Sequence, residues 1–203
     1  MILGLTGSIA SGKSSVADCF VECGAILVSA DLLAREVVNS GSPTLSKLVD
    51  FFGPDILTPG GSLNREVLAK KVFADPVARR QLESITHPAI AHLAESRLVE
   101  LKSSPHDLIV YEVPLLFEAG AESRVDQVLV VVIDPAIQMA RLLRRDNLSD
   151  AEARQRIAAQ WTQADKVQKA DFVIDNSGSL QQTRAMVAAL YHYLTIGLGL
   201  SSS

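Results

Sequence analysis

Ile2-Leu3-Gly4-Leu5-Thr6-Gly7-Ser8-Ile9-Ala10-Ser11-Gly12-Lys13-Ser14-Ser15 is the stretch on which the fold of this chain turns. Its first residues are an apolar run of strand length. Gly7 to Ser14 then fits G-x-x-x-x-G-K-[ST] at every fixed position, and a helical pattern over 14–23 comes next. Strand, glycine-rich loop and helix in that order make a phosphate cradle, and each residue type has a physical reason. Several backbone N–H groups must bend toward one centre, which glycine permits because it tolerates positive φ. The helix adds its free N–H groups and the positive end of its dipole. Lys13 supplies a point charge for phosphate oxygens, and the Ser14 hydroxyl is a hard ligand for Mg²⁺. The expected nucleotide contacts are Gly7, Ala10, Ser11, Gly12, Lys13, Ser14 and Ser15.

Working outward, apolar runs of strand length recur at 25–29, 108–113 and 128–133, with a shorter one at 172–174. They lack two-residue alternation, so they read as strands buried on both faces, the pattern of a parallel sheet. Helix starts lie between them. Asp134-Pro135 and Asp75-Pro76 each set a capping carboxylate before a proline, while Ser149 with Glu152 and Ser179 with Gln182 have capping-box spacing. Alternating strands and helices predict an α/β fold on a five-stranded parallel sheet. Two regions break the alternation. Residues 40–104 are helical without a convincing strand, which predicts an inserted helical subdomain. Residues 141–168, rich in charge, predict a mobile helical flap. The tail over 197–203 is expected to fray.

The chain has 203 residues, 48% of them apolar, a mean hydropathy of +0.22, a formal charge of -4 and a pI of about 5.6. One core can form at that length without disulfides or metals, and no global field draws the chain to nucleic acid or anionic lipid. Bound phosphate must therefore be held by local donors. Cys19 and Cys23, four apart on one helical face, are expected as reduced thiols. Met1 to Thr6 lacks the basic start of a signal peptide, and no run reaches the ~18 apolar residues of a membrane span. A cytoplasmic protein with no membrane or nucleic-acid partner is the expectation.

A phosphate loop alone does not separate a kinase from a GTPase or an ATP-driven switch, but no N-K-x-D guanine motif occurs. Asp31 is expected at the end of the second strand, where open parallel sheets hold their ligands. There it would take a hydroxyl proton or hold a metal-bound water, or else cap a helix starting near Leu32. Glu112, ending the third strand, reads as a Walker-B acid orienting Mg²⁺ or as an ordinary strand-end charge. Arg141, Arg144 and Arg145 read as charge for a transferring phosphoryl group or as a solvated basic face.

Taken together these stretches resemble the dephospho-CoA kinase family over nearly the whole chain. The likeness is carried by Leu5 to Ser14, Ala30-Asp31, Ala34-Arg35 to Val38, Phe52-Gly53, Leu63-Asn64-Arg65 and Val72-Phe73. It continues through His87-Pro88, Val113-Pro114-Leu115-Leu116-Phe117-Glu118, Arg145-Asp146 and Val173-Ile174-Asp175-Asn176. The resemblance implies a P-loop NTPase three-layer sandwich in one kinase domain. Its nucleotide core would be about 1–39, 105–140 and 169–203, with an acceptor subdomain at about 40–104 and a lid at about 141–168. It implies ATP as substrate with Mg²⁺, the ribose 3′-hydroxyl of dephospho-CoA as acceptor, and a monomer or small homo-oligomer. Lys13, Asp31, Arg141 and Arg145 would be catalytic, Asn176 would lie near the adenine, and Ser14 and Glu112 would hold the metal. Asp31, Arg35, His87, Leu115 and Glu118 would line the acceptor site, His87 being equally well a capping or packing residue before Pro88.

Three departures stand out. Ser29 replaces the first acid of an Asp-Ala-Asp, Glu112 is a methylene longer than the frequent aspartate, and Ser15 replaces threonine. Rival readings are another small-molecule kinase of adenylate-kinase-like build, and a P-loop regulator without a small acceptor.

Overall fold

The computed structural model describes residues 1–73, 75–103 and 106–199. The chain runs β1 (Ile2–Gly7), α1 (Lys13–Glu22), β2 (Ile26–Ser29), α2 (Ala30–Glu36), α3 (Pro43–Phe52), α4 (Arg65–Phe73) and α5 (Pro76–Lys102). It continues β3 (Ile109–Glu112), β4 (Gln127–Val132), α6 (Pro135–Asp146), α7 (Asp150–Ala158), α8 (Gln163–Val167), β5 (Phe172–Asp175) and α9 (Leu180–Gly199). Packing divides it into two compact units, Met1–Ser29 with Leu98–Ser203, and Ala30–Arg97.

In the first unit five parallel strands form one sheet in the order β2-β3-β1-β4-β5. The chain leaves β1 for one edge, returns through β3 and crosses to the other side. The carboxyl end of β1 therefore lies where the winding reverses, the place open α/β sheets use for ligands. Leu3, Leu5, Val110, Leu129, Val131 and Ile174 pack on Val16, Ala17 and Phe20 of α1 and Val187 and Leu194 of α9. On the opposite face Thr6, Ile109, Tyr111, Val128 and Val130 are also buried. A Cβ on Gly4 would come within 3.0 Å of Val125, so the strand surface is closely covered there. Burial on both sides explains why the strand runs do not alternate.

Among its described residues the second unit is helical, with only an isolated bridge between Leu57 and Leu63. Ser42 caps α3 by accepting the Leu45 N–H at 3.1 Å, with Pro43 at its first turn. Leu48, Phe52, Ile56 and Leu68 form the core with Val37 and Val38. That packing draws α2 into this unit, so it begins at Ala30 where the turns in the sequence suggested 40. The suggested boundary at 104–105 lies outside the described residues, and the observed division falls within α5. His87 stands in mid-helix and is exposed, so it caps nothing.

The predicted caps form. Asp134 accepts the N–H groups of Ala136 and Ile137, Asp75 accepts that of Val77 at 2.7 Å, and Ser149 and Glu152 close a capping box. Ser179 and Gln182 exchange hydrogen bonds at the start of α9. The end of α6 departs from expectation. It runs unbroken to Asp146 and stops at Asn147, whose left-handed φ of 50° ends the helix. The flap limit placed at 141 therefore falls inside a continuous helix. Residues 197–199 continue the backbone of α9, and 200–203 of the tail lie outside the described residues.

Candidate active site

The phosphate loop leaves the carboxyl end of β1 at Gly7 and enters α1 at Lys13. A Cβ on Gly7 would collide with the Val131 carbonyl oxygen and one on Gly12 with the Asn176 side-chain amide. Gly12 also takes the left-handed φ of 85° at the helix cap. Gly12 makes no side-chain cap hydrogen bond, and the positive end of the α1 dipole lies at the loop, where an anion is favoured.

Lys13 folds back over this loop. Its Nζ donates to the Gly7 and Ser8 carbonyls at 2.9 Å each, so the lysine shapes the loop as well as charging it. Ser14 donates its hydroxyl to Glu112 Oε1 at 3.1 Å. Register explains that contact. Glu112 pairs with Leu5 across β3 and β1, which puts its side chain on the α1 face of the sheet. Ser29 pairs with Glu112 in the next strand, so the replaced acid and the lengthened acid are neighbours at one level. Glu112 is buried and Ser15 is exposed.

Asn176 follows β5 and is buried. Its Nδ2 donates to the Ser11 carbonyl at 2.8 Å, and its Oδ1 accepts from the Thr183 hydroxyl at 2.7 Å. The side chain expected near an adenine thus braces the back of the phosphate loop. Arg141 donates from Nη2 to the Asn176 carbonyl at 3.2 Å, and its Nη1 stands 3.4 Å from where a Cβ on Gly12 would lie. This arginine is already beside the loop.

Arg145, four residues on, is exposed and paired with Asp146 at 2.7 Å, and Arg156 reaches the same carboxylate at 2.8 Å. The hydrogen bond from Arg145 holds the Asp146 carboxyl below its usual range, with a smaller contribution from Arg156. Arg144 is exposed on α6.

Glu118 meets a buried lysine. Its Oε1 accepts from Lys166 Nζ at 2.9 Å and from the Trp161 N–H at 3.1 Å, and the Lys166 side chain is wholly buried. Burial alone would push the Glu118 carboxyl up, but the hydrogen bonds from Lys166 and from backbone N–H groups outweigh it and hold the carboxyl below the usual range. A depressed pKa means that stability is present above the unfolded value, near 4.5, and is lost as pH falls through the folded one. Glu118→Gln strands a buried ammonium, a loss worth about 3 kcal/mol. The expected Tm fall near neutral pH is roughly 6–12 °C. The gap to wild type should narrow below about pH 4.5, where the wild-type carboxyl takes up its proton. Parallel thermal melts at pH 7 and pH 4 check this, and equal gaps at both would remove the ion pair from the account.

In the second unit Asp31 is the second residue of α2, because β2 stops at Ser29. It is therefore not the end of a strand, nor the cap of a helix that starts at Leu32. Arg35, on the last turn of α2, is exposed. Leu115, in the first unit, is 43% exposed. Both cysteines are free thiols, and no helix among the described residues is long and apolar enough to cross a membrane.

Sequence reasoning missed the glutamines. Gln160 and Gln138 bind the two backbone groups of Ile9 in the phosphate loop, and Gln163 binds both backbone groups of Ile133. Nothing in spacing marks a glutamine whose partner lies 30 to 151 residues away.

A sheet wound in this order, with a lysine-bearing phosphate loop at its reversal, defines a P-loop nucleotide-binding protein of the kinase type. A gluconokinase from Sinorhizobium meliloti shares the fold with a TM-score of 0.51 at 14% identity, over 99% of this chain and 97% of that one. The dephospho-CoA kinase family model matches residues 1–182, and the chain belongs to that family. It is 51% identical to a dephospho-CoA kinase of Syntrophotalea carbinolica, over 98% of this chain and 94% of that protein. It is 47% identical to one of Geobacter metallireducens, over 94% and 95%. The solved structure of the dephospho-CoA kinase of Campylobacter jejuni superposes with a TM-score of 0.76 at 28% identity, covering 97% and 98% of the two chains.

Proposed function

We propose that this chain phosphorylates the ribose 3′-hydroxyl of dephospho-CoA with ATP, giving coenzyme A and ADP in the last step of coenzyme A biosynthesis, in the cytoplasm. The observation that carries the reading is the contact of Ser14 with Glu112 at the head of a phosphate loop flanked by Arg141, in a chain of this family. In the transfer the acceptor oxygen bonds to the γ-phosphorus, the β–γ bridging P–O bond breaks, and the hydroxyl proton leaves to a base. The chain's part is positioning and charge.

Lys13 and the loop N–H groups from Ala10 to Ser15 hold the triphosphate. Ser14 Oγ and Glu112 Oε1 offer two hard oxygens 3.1 Å apart, which suits Mg²⁺, an ion that takes one or two protein ligands and fills its shell with phosphate and water. Bound there, the ion would neutralise charge on the β- and γ-phosphates. Glu112 would fix it from the sheet side, its longer side chain serving where Ser29 has no charge. Asp31 would receive the hydroxyl proton. Arg35 and His87 are the helical unit's candidates for acceptor contact. Leu115 is a surface for the acceptor's apolar part, and Glu118 supports the segment beneath it through Lys166. Asn176 acts on ATP through the loop it braces.

The lid is best drawn over 147–159, because Gln160, Gln163 and Lys166 tether the stretch from 160 to 166 to Ile9, Ile133 and Pro114. Arg141 then belongs to the fixed wall, and Arg145 acts only when it leaves Asp146. Arg141→Ala should lower kcat by at least ~10²-fold with the ATP KM changed much less, since the charge matters most while the phosphoryl group is in transit. Arg141→Lys should rescue poorly for want of the planar fork. Arg145→Ala should cost less than Arg141→Ala, and the reverse order in steady-state rates would exchange their roles.

ADP release measured with dephospho-CoA, AMP, shikimate and no acceptor tests the whole reading. Turnover confined to dephospho-CoA is the expected result. Turnover with AMP or shikimate alone would assign another acceptor, and acceptor-independent hydrolysis would favour a regulator.

A further inference from the structure

The two backbone groups of Ile9 are each taken by a glutamine from outside the loop. Its N–H donates to Gln160 Oε1 at 2.8 Å, and its carbonyl accepts from Gln138 Nε2 at 2.8 Å. Ile9 is the third residue of the phosphate loop, between Ser8, whose carbonyl receives Lys13, and Ala10, a non-glycine residue at a left-handed φ of 60°. We infer that Gln138 and Gln160 are positioning residues for ATP, which aim the crest of the loop by gripping Ile9 from both sides.

Peptide planarity turns this grip into an orientation. In a trans peptide the C=O and N–H point in opposite directions. In the unit joining Ser8 to Ile9, the N–H is fixed by Gln160 and the carbonyl by Lys13, so the plane is pinned at both ends. In the unit joining Ile9 to Ala10, the carbonyl is fixed by Gln138, which turns the Ala10 N–H the opposite way. Ala10 can hold its left-handed conformation, disfavoured without glycine, because the plane before it is locked. Gln138 is buried on α6, beside the arginine at the loop. Gln160 lies between α7 and α8, so the residue that follows the proposed lid is bonded to the phosphate loop itself. Gln163, three residues on, provides a comparison. It grips the Ile133 backbone at 2.8 and 2.9 Å without touching the phosphate loop.

The inference rests on ATP being the nucleotide, so wild-type binding of ATP is measured first by calorimetry. Gln160→Met and Gln138→Met keep the length of the side chain and remove its hydrogen-bonding oxygen or nitrogen. Each is expected to raise the ATP KM by about tenfold, a loss comparable to one hydrogen bond, with the dephospho-CoA KM within twofold of wild type. Gln163→Met, which loosens the same segment elsewhere, should leave the ATP KM within twofold. Amide exchange of Ile9, read by NMR, should quicken in Gln160→Met and recover in Gln160→Glu, which keeps an acceptor for the N–H. An ATP KM moved no further by Gln160→Met than by Gln163→Met, or unchanged Ile9 exchange, overturns the assignment. Absence of ATP binding by the wild type would overturn the proposed function with it.

Discussion

Lys13→Ala should lower turnover by at least ~10²-fold, the scale on which removing one charge-stabilising donor acts, and should also cost measurable stability. The second expectation comes from the structure. The ammonium is bonded to the carbonyls of Gly7 and Ser8 at 2.9 Å, so its removal takes a charged donor from each, and the Ser8 carbonyl keeps the Ser11 N–H at 3.2 Å. Hydrogen bonds to a charged group are worth about 1.5–3 kcal/mol each, and less where water can replace the donor. The combined loss should therefore be about 2 kcal/mol. Lys13→Met, which keeps the apolar stem, should melt close to the alanine variant and be equally inactive. Kinetics and melts on both variants separate the effects. Turnover above about a tenth of wild type in either would remove Lys13 from the phosphate chemistry, whatever the change in Tm.

That double role could not be read from the sequence, and it marks where legibility ended. The loop motif, the strand runs and the capping pairs are local signals. Asp134-Pro135 or Ser149 with Glu152 states its structure within four residues, and each formed as read. The sheet was legible because burial on both faces leaves continuous apolar runs such as Val128 to Ile133. Glu112 was legible as a strand-end acid, while its contact with Ser14 came only with the parallel register that sets it on the α1 face.

What the sequence did not announce were contacts that needed a third dimension. The helical unit begins at α2 because Val37 and Val38 pack on Leu48 and Phe52, a contact that no turn residue announces. Asn176 faces the loop because β5 ends beside it. Glu118 is turned to a lysine 48 positions away, and Gln160 to an isoleucine 151 positions away. Polar side chains that serve distant backbone carry no periodicity of their own. The flap limit at 141 was drawn from charge, whereas α6 runs on to Asp146. Asn147, able to take a left-handed conformation, was the better signal.

Asp31→Asn offers the sharpest separation of chemistry from structure. Asp31 sits in the first turn of α2, where a carboxylate interacts with the helix dipole for about 0.3–1 kcal/mol. Asparagine keeps the shape and gives up that charge, so a purely structural Asp31 would show a Tm lower by no more than a few degrees and an unchanged kcat. As the base for the acceptor hydroxyl its loss should cost ~10²–10⁴ in kcat. That far exceeds anything the dipole term could produce, and the dephospho-CoA KM should move little. Asp31→Glu distinguishes base from simple charge, because it restores the carboxylate but displaces it by a methylene. Proton transfer demands hydrogen-bond reach, so a displaced base should recover only part of the rate, whereas long-range charge would be restored almost fully. Rates for the three proteins at saturating ATP, with melts beside them, decide the matter. A kcat for Asp31→Asn within tenfold of wild type would leave Asp31 as a helix residue, and the proton would then have to leave by another group.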